Sequence, residues 1–248
     1  MFFFTDIHGD LPMYHTILDW CLQRDSNCTI IFGGDACDRG PDGYALMKEM
    51  LANPRIVYLK GNHESMFVDA AKAMLQMSQL EAYKHAKNKN QYFLLDSEVH
   101  FSVTNGGMST LMEWWDKESD KENFIKQIDS LPLVYSYNQY DFCHAGGPAR
   151  YFTKVQNNEK ISSDIEYSLL WDRSCLDKKW NKGRICVHGH TPQLANPFLT
   201  ANHRLNMDLG VFDTKKIAVL DANNNEITIF SSLTHKPIQT YIIEAKNI

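Results

Sequence analysis

A parallel-strand α/β fold is what the first third of this 248-residue chain predicts. Three observations carry it. Short runs of β-branched and aromatic residues alternate with stretches of helical apolar spacing, the connections are short, and each run empties into a loop rich in glycine or acid. Residues 1–5 are the first run, ending at Asp6-Ile7-His8-Gly9-Asp10. Residues 11–24 then carry Leu11, Tyr14, Ile17, Leu18, Cys21 and Leu22 at helical spacing. Residues 29–32 make a second strand, broken by Gly33-Gly34. Ala45, Leu46, Met47 and Met50 give residues 44–51 a helical face, and residues 55–59 are a third strand. Such connections imply parallel pairing through right-handed crossovers.

The middle changes character. Residues 66–89 are rich in Ala, Met, Leu, Gln and Lys, all good helix formers. Asn105-Gly106-Gly107 reads as a break, after which residues 110–115 and 122–128 look helical again. Residues 66–130 are therefore expected to form a mainly helical insertion within one domain spanning 1–248. The charges of residues 84–89 read as a solvated helix face, and Trp114-Trp115 as core or interface. From residue 133 the chain turns strand-rich, with runs at 133–135, 140–143, 184–187, 204–207, 216–220 and 226–230. Asn223-Asn224-Asn225 closes a hairpin between the last two.

Composition narrows the function. A hydrophobic content of 44% suits a packed core, while 25 basic against 30 acidic residues argue against stable nucleic-acid or acidic-membrane binding. No apolar run reaches the roughly 18 residues of a membrane helix. Six cysteines without a CxxC pair, several inside apolar runs, read as buried thiols in a reducing compartment, hence a cytoplasmic protein. The conspicuous count is histidine, ten in all, four of them in short glycine- or asparagine-containing segments.

Ligands of parallel α/β units bind beyond the carboxyl ends of the strands. The first strand delivers Asp6 and His8 there, the second Asp35, Asp38 and Arg39, the third Asn62 and His63. Cys143-His144-Ala145-Gly146-Gly147 and His188-Gly189-His190-Thr191-Pro192 also follow strands. Carboxylate, carboxamide and imidazole without thiolate suit Mn²⁺, Fe or a catalytic Zn²⁺. The candidates outnumber what one ion needs, and two ions about 3.5–4 Å apart would use them all and clamp a phosphoryl group. Arg39 adds a planar fork for phosphate oxygens.

Asp6-Ile7-His8-Gly9, Gly34-Asp35-Ala36-Cys37-Asp38-Arg39-Gly40, Gly61-Asn62-His63-Glu64, His144-Ala145-Gly146 and Gly189-His190-Thr191 resemble the motif series of the calcineurin-like metallophosphoesterases. More narrowly they resemble the bacterial and phage branch of the serine/threonine protein phosphatases. With Asn206-Met207-Asp208-Leu209-Gly210 they run in family order over roughly the first 210 residues. The resemblance implies a four-layer α/β/β/α sandwich of two mixed β-sheets, with metals where loops of both sheets meet. It implies Asp6 and His8 on a first ion, Asp35 as a bridge, and Asn62, His144 and His190 on a second, with Mn²⁺ favoured over Fe or Zn.

It further implies His63 as general acid on the leaving oxygen, with Asp38 orienting its imidazole and keeping it protonated near neutral pH. Arg39 and Arg173, the latter in Leu170-Trp171-Asp172-Arg173, would grip the phosphate together with Asn62. The implied activity is a serine/threonine protein phosphatase, extending to phosphotyrosine, that cleaves a phosphoprotein or small phosphoester by direct attack of a metal-bridging hydroxide. The alternative is a symmetrical dinucleoside tetraphosphate hydrolase or a nucleotide or RNA-end phosphoesterase. Tetraphosphate hydrolases of that kind usually lack acids at the positions of Asp38 and Glu64, and both are present here. The rival from another class is an idle binding module that keeps the fold. Two departures stand out: Thr5 occupies a usual glycine, and Leu209 stands in a usual Asp-Thr-Gly segment. Residues 66–130 resemble the family only loosely, so substrate choice is expected there. His188 reads as strand packing, with a place at the metal site as the alternative.

Overall fold

The computed structural model describes residues 1–76, 97–181 and 183–243. The first third follows the expected alternation: β1 (Phe2–Phe4), α1 (Leu11–Arg24), β2 (Ile30–Phe32), α2 (Gly43–Ala52), β3 (Ile56–Tyr58) and α3 (Asn62–Gln76). Asp10 starts α1 by accepting the Met13 N–H, 3.0 Å. After the undescribed stretch come α4 (Ser97–Ser102), α5 (Met108–Lys117) and α6 (Lys121–Asp129). The second half holds β4 (Val134–Tyr137), β5 (Tyr140–Cys143), α7 (Ala149–Gln156), α8 (Ser163–Trp171), β6 (Ile185–His188) and β7 (Arg204–Asn206). It closes with α9 (Val211–Thr214), β8 (Lys216–Asp221), β9 (Glu226–Ser231) and β10 (Lys236–Ile242).

Among the described residues, ten strands form two mixed sheets, ordered β10-β9-β8-β1-β2-β3 and β4-β5-β6-β7. β1, β2 and β3 pair in parallel, as do β5, β6 and β7, while β8, β9, β10 and β4 add antiparallel partners. Side-chain alternation along the strands builds the layers. Phe3 and Ile31 of the first sheet face Phe142, Ile185 and Val187 of the second in one buried cluster, with Phe3 stacked on Phe142 at 5.0 Å. Phe2, Phe4, Ile30 and Phe32 point the other way, into a cluster with Tyr14, Ile17, Leu46 and Met47 of α1 and α2. Cys143 and Cys186, on the outer face of the second sheet, pack with Phe152 of α7 and with Trp180. The result is helices, sheet, sheet, helices, as the family resemblance implied.

The described part of the 66–130 region is helical and joins the outer helical layer. Phe67 and Met74 of α3, Val99 of α4, Leu111 and Trp114 of α5, and Phe124 and Ile128 of α6 share the cluster that covers Phe2 and Phe4. Trp114 is fully buried. The helix and charged face expected over residues 77–89 lie outside the described residues. Asn105-Gly106-Gly107 breaks the helical path, as expected: Val103–Gly107 joins α4 to α5 through a kink at Gly106, whose φ of 96° lies outside the helical region. That conformation aims the Gly106 carbonyl at the Arg39 N–H, 3.0 Å.

Further elements were not expected from the sequence. α7 and α8 are short helices that interrupt the strand-rich half, α7 burying only Phe152, and α9 is a single turn. β10 is an edge strand with Pro237 in it and six of its seven residues exposed, so it lacks buried alternation.

Glu118 ties α5 to α2. Its carboxylate is 8% exposed and accepts the Tyr44 hydroxyl (2.8 Å), the Lys48 ammonium (3.0 Å) and the Asp120 N–H (3.0 Å). Burial raises its pKa, but the Asp120 N–H, Lys48 and Tyr44 outweigh burial and bring it from 4.5 to about 2. A carboxyl depressed on folding contributes stability above its unfolded pKa and loses it as pH falls through the folded value. The contribution is therefore complete above pH 4.5 and disappears between 4.5 and about 2. Glu118→Gln is expected to cost about 1–2 kcal/mol at pH 7, allowing for the half-exposed Lys48. Urea midpoints measured against pH should show the difference between variant and parent closing across that window.

Candidate active site

The loops after β1, β2 and β3 set Asp6, His8, Asp35, Asp38, Arg39, Asn62 and His63 along one edge of the six-stranded sheet. His144 after β5 and His190 after β6 come to the same edge from the other sheet. Asp6, His8, Asp35, Asp38, Asn62, His63, His144 and His190 are buried, and Arg39 and Arg173 stand exposed at the rim. A cavity of 150 Å³ opens among them, lined also by Asn105, Trp171, Pro192 and Asp208. A larger cleft of 280 Å³ lies across the 7–10 loop; of the residues named above it is lined by His8 alone, with Asp10, Asp42 and Lys215 as its other charged groups.

The backbone here is unusual. Asp6, His8, Asp35, Asp38, Arg39 and His190 all have φ between 48° and 68°, the left-handed region that costs side-chain-bearing residues about 1–3 kcal/mol each. Gly189 permits the closest approach: a Cβ there would lie 1.9 Å from Asp6 Oδ2. Glu64 holds the strained turns in place. Its carboxylate accepts the N–H groups of Asp35 (2.8 Å), Ala36 (2.7 Å) and Gly61 (2.7 Å) and the Tyr58 hydroxyl (2.7 Å). Thr5, the departure from the family pattern, donates its hydroxyl to Asp6 Oδ2 at 2.6 Å.

Donor atoms converge in two groups, each within 4.8 Å: His8, Asp35 and His63, and Asp35, His144 and His190. Asp35 is common to both. The tautomers are fixed by backbone carbonyls. His144 Nδ1 lies 2.9 Å from the Gly33 oxygen and His8 Nδ1 3.0 Å from the Cys37 oxygen, so each Nδ1 donates and each Nε2 carries a lone pair. Those lone pairs face Asp35, at 3.3 Å from Oδ1 for His144 and 3.9 Å from Oδ2 for His8. Burial holds both imidazoles well below their usual range, helped by His190 beside His144 and by His63 and Arg39 beside His8. Neutral imidazole nitrogens facing carboxylate oxygens repel unless a proton or a cation lies among them.

Asn62 repeats the pattern, with Oδ1 2.8 Å from both His144 Nε2 and His190 Nδ1. His190 Nε2 is buried with no partner. Burial raises the carboxyls of Asp6 and Asp35, Asp208 adding to the first and Asp6 and Glu64 to the second. A mixed set of this kind, its imidazoles oriented by backbone carbonyls, fits divalent cations.

His63 sits at the edge of the cluster. Its Nδ1 lies 2.8 Å from Asp38 Oδ2 and its Nε2 3.3 Å from an Arg39 Nη2. The guanidinium can only donate, so Nε2 accepts and the ring proton is on Nδ1. Burial, with Arg39 adding, lowers His63 to about 3, while burial pushes Asp38 up to about 7. Desolvation and Arg39 thus oppose the imidazolium in this conformation, against the Asp38 contact expected to favour it. Arg173 braces the opposite rim, donating to Thr191 Oγ1 and to the His190 carbonyl, both 3.2 Å.

Sequence reasoning left Glu64, Thr5 and Asp208 without roles. Asp208 lines the cavity, and burial raises it to about 6. Its signal was an acid following a strand, as for Asp6 and Asp35. His188 lies outside both donor groups; it is buried, its Nδ1 is 3.1 Å from the Gly189 oxygen, and it packs beneath Gly146.

Carboxylate-bridged imidazole clusters rimmed by arginines are the equipment of a metal-dependent phosphoester hydrolase. The chain belongs to the calcineurin-like phosphoesterases, whose family model matches residues 2–213. It is 26% identical over 243 residues to the asymmetrical bis(5'-nucleosyl)-tetraphosphatase PrpE of Oceanobacillus iheyensis, covering 86% of this chain and 85% of that protein. A cold-active protein tyrosine phosphatase superposes with a TM-score of 0.57 at 14% identity, over 100% of this chain and 80% of that one. A putative diadenosine tetraphosphatase superposes at 0.54 and 12% identity, over 98% and 93%. These structural likenesses are of fold.

The clamp on the Asp35 turn can be tested directly. Glu64→Gln gives three N–H groups and a hydroxyl an amide that brings donors of its own. A stability loss of about 2–3 kcal/mol is expected by urea denaturation, against less than about 0.5 kcal/mol for Glu122→Gln on the exposed face of α6.

Proposed function

We infer that this chain is a metal-dependent phosphomonoesterase in which Asp6, His8, Asp35, Asn62, His144 and His190 hold two divalent ions. One observation carries the reading: the neutral Nε2 lone pairs of His8 and His144 both face Asp35, the residue common to the two donor groups. Manganese is favoured by the mixed oxygen and nitrogen set. Bound cations of this kind lower the pKa of water and neutralise phosphoryl oxygens.

The chain's own side chains supply the rest. Arg39 and Arg173 at the rim, with Asn62 inside, bind and orient the phosphate. A phosphate anion in the cavity competes for the Arg39 guanidinium, and once Arg39 turns to its oxygens the His63 Nε2 is released. Asp38, in contact with Nδ1, then favours the imidazolium, and His63 delivers the Nε2 proton to the leaving oxygen. Phosphate binding thus arms the acid.

For the substrate, the presence of Asp38 and Glu64 supports phosphoserine and phosphothreonine in proteins, with phosphotyrosine as an extension. A second reading, a dinucleoside polyphosphate, is supported by the 26% identical relative named as an asymmetrical tetraphosphatase. A cytoplasmic location is supported by six buried cysteines, all free. No helix among the described residues is long and apolar enough to cross a membrane.

Chelation is expected to abolish turnover of a phosphoseryl peptide, and Mn²⁺ to restore it. Full turnover with metal shown to be absent would overturn the mechanism. His63→Asn is expected to lower kcat by about 10²–10⁴ while metal content and unfolding midpoint stay at parental values; unchanged kcat refutes the acid role. Side-by-side rates on a phosphoseryl peptide and diadenosine tetraphosphate decide between the two substrate readings.

A further inference from the structure

At the rim of the cavity stands a group of rings that neither the core nor the phosphate chemistry accounts for. Trp171 ends α8 and lines the cavity wall beside Asn105 and Arg173. Its ring meets His190 edge-on, 6.0 Å between centroids at 80°, and it packs on the apolar cluster around Leu169. Tyr167, one helical turn earlier, lies 6.3 Å from Trp171 with 15° between the planes. Phe101 approaches Trp171 from α4, a different element, at 6.0 Å and 38°. Tyr167 is 63% exposed and Phe101 45%. A lone exposed aromatic is ordinary. Rings from two elements gathered on the residue that walls the cavity call for a ligand.

We propose that Phe101, Tyr167 and Trp171 form a shelf that stacks a planar ring carried by the leaving group, so that aryl or nucleoside phosphoesters are preferred over those of aliphatic alcohols. This rests on the hydrolase reading and shifts its substrate class from phosphoserine and phosphothreonine toward phosphotyrosine and the dinucleoside polyphosphate. Aromatic faces bind flat π systems through dispersion and quadrupole contact, with little dependence on which ring it is. Trp171 is registered to the site by its contact with His190, so a ring docked on it is registered too. A serine or threonine leaving group has nothing flat to place there.

Counted outward from His190, the shelf is two rings deep, Trp171 first and then Tyr167 and Phe101. A phenol esterified directly to the reacting phosphate covers Trp171. A base held off by ribose and further phosphates reaches Tyr167 and Phe101. Both sources share the same chemistry, and the substrates of the test separate them.

Steady-state constants with Mn²⁺ are to be measured on a phosphotyrosyl peptide, diadenosine tetraphosphate and a phosphoseryl peptide, for the parent, Tyr167→Ala, Phe101→Ala and Tyr167→Phe. Tyr167 is exposed enough that losing its ring leaves the core intact. The ratio of kcat/KM for a ring-bearing substrate to that for phosphoserine is expected to fall about tenfold in the alanine variants, mainly through KM, and to persist in Tyr167→Phe. A fall on diadenosine tetraphosphate identifies the ring as a base; a fall on phosphotyrosine identifies it as an aryl group. Equal changes on all three substrates, or none, overturn the shelf. Affinities for AMP, phenyl phosphate and inorganic phosphate, followed by tryptophan fluorescence, give a readout that needs no turnover. Absence of turnover on every substrate would sink the hydrolase reading and leave these affinities to judge the shelf. If neither AMP nor phenyl phosphate then binds more tightly than inorganic phosphate, the shelf is overturned.

Discussion

Five carboxyl groups, Asp6, Asp35, Asp38, Glu64 and Asp208, are buried where the edges of two sheets meet, and their repulsion and desolvation organise everything around them. A buried carboxylate is tolerable only when donors or cations surround it. Glu64 takes its compensation from three backbone N–H groups and a tyrosine hydroxyl. Asp6 has the Thr5 hydroxyl and the His190 N–H, and Asp35 has the His63 N–H. Presenting those amides requires the left-handed backbone at Asp6, Asp35 and His190, and so the strain and the charge belong to one arrangement. What the protein's own donors leave uncompensated on Asp35 is faced by imidazole lone pairs. In the proposed reading, bound cations would complete that balance.

The same balance accounts for a chain of net charge −5 that can receive an anion. Asp6, Asp35 and Asp38 contribute formal negative charge, but they are dehydrated and turned toward the donor cluster. Arg39 and Arg173 stand at the rim, where an incoming phosphate meets them first. Global charge sets long-range behaviour; the order in which groups line the entrance sets recognition.

Much of this was legible in the sequence, for a local reason. Strand ends that deliver Asp6, Asp35 and Asn62 show as apolar runs stopped by polar, glycine-spaced loops, and helix α1 shows as 3.6-residue spacing. The elements that escaped are those whose order comes from neighbours. α7 buries little besides Phe152, and β10 is an exposed edge paired with β9 alone. Asn105-Gly106-Gly107 was legible as a helix break because glycine propensity is local, and only packing shows that the kink also meets Arg39 through the Gly106 carbonyl. Glu64 could be read as a residue favouring a helix start; only packing shows it gripping the turn after β2. The ionisation of His63 likewise depends on burial and on an arginine 24 residues away in sequence.

Arg39 is the point at which these strands of argument join. It follows Asp38 directly, so one turn carries both the carboxylate that favours a charged His63 and the cation that opposes it. The two cannot act on the imidazole equally once an anion enters the cavity, because the guanidinium fork matches phosphate geometry far better than a single ring nitrogen. Asp38 cannot follow, since it is buried and bonded to Nδ1. In the proposed mechanism phosphate therefore removes one of the two opposing influences and leaves the other, which would shift His63 toward its acid form in the complex in which an acid is needed. A lysine at position 39 would lack the planar fork and weaken that exchange, and an arginine elsewhere on the rim, such as Arg173 held by Thr191 and the His190 carbonyl, would grip phosphate without changing the proton on His63. On this reading the adjacency of residues 38 and 39 couples binding to proton delivery.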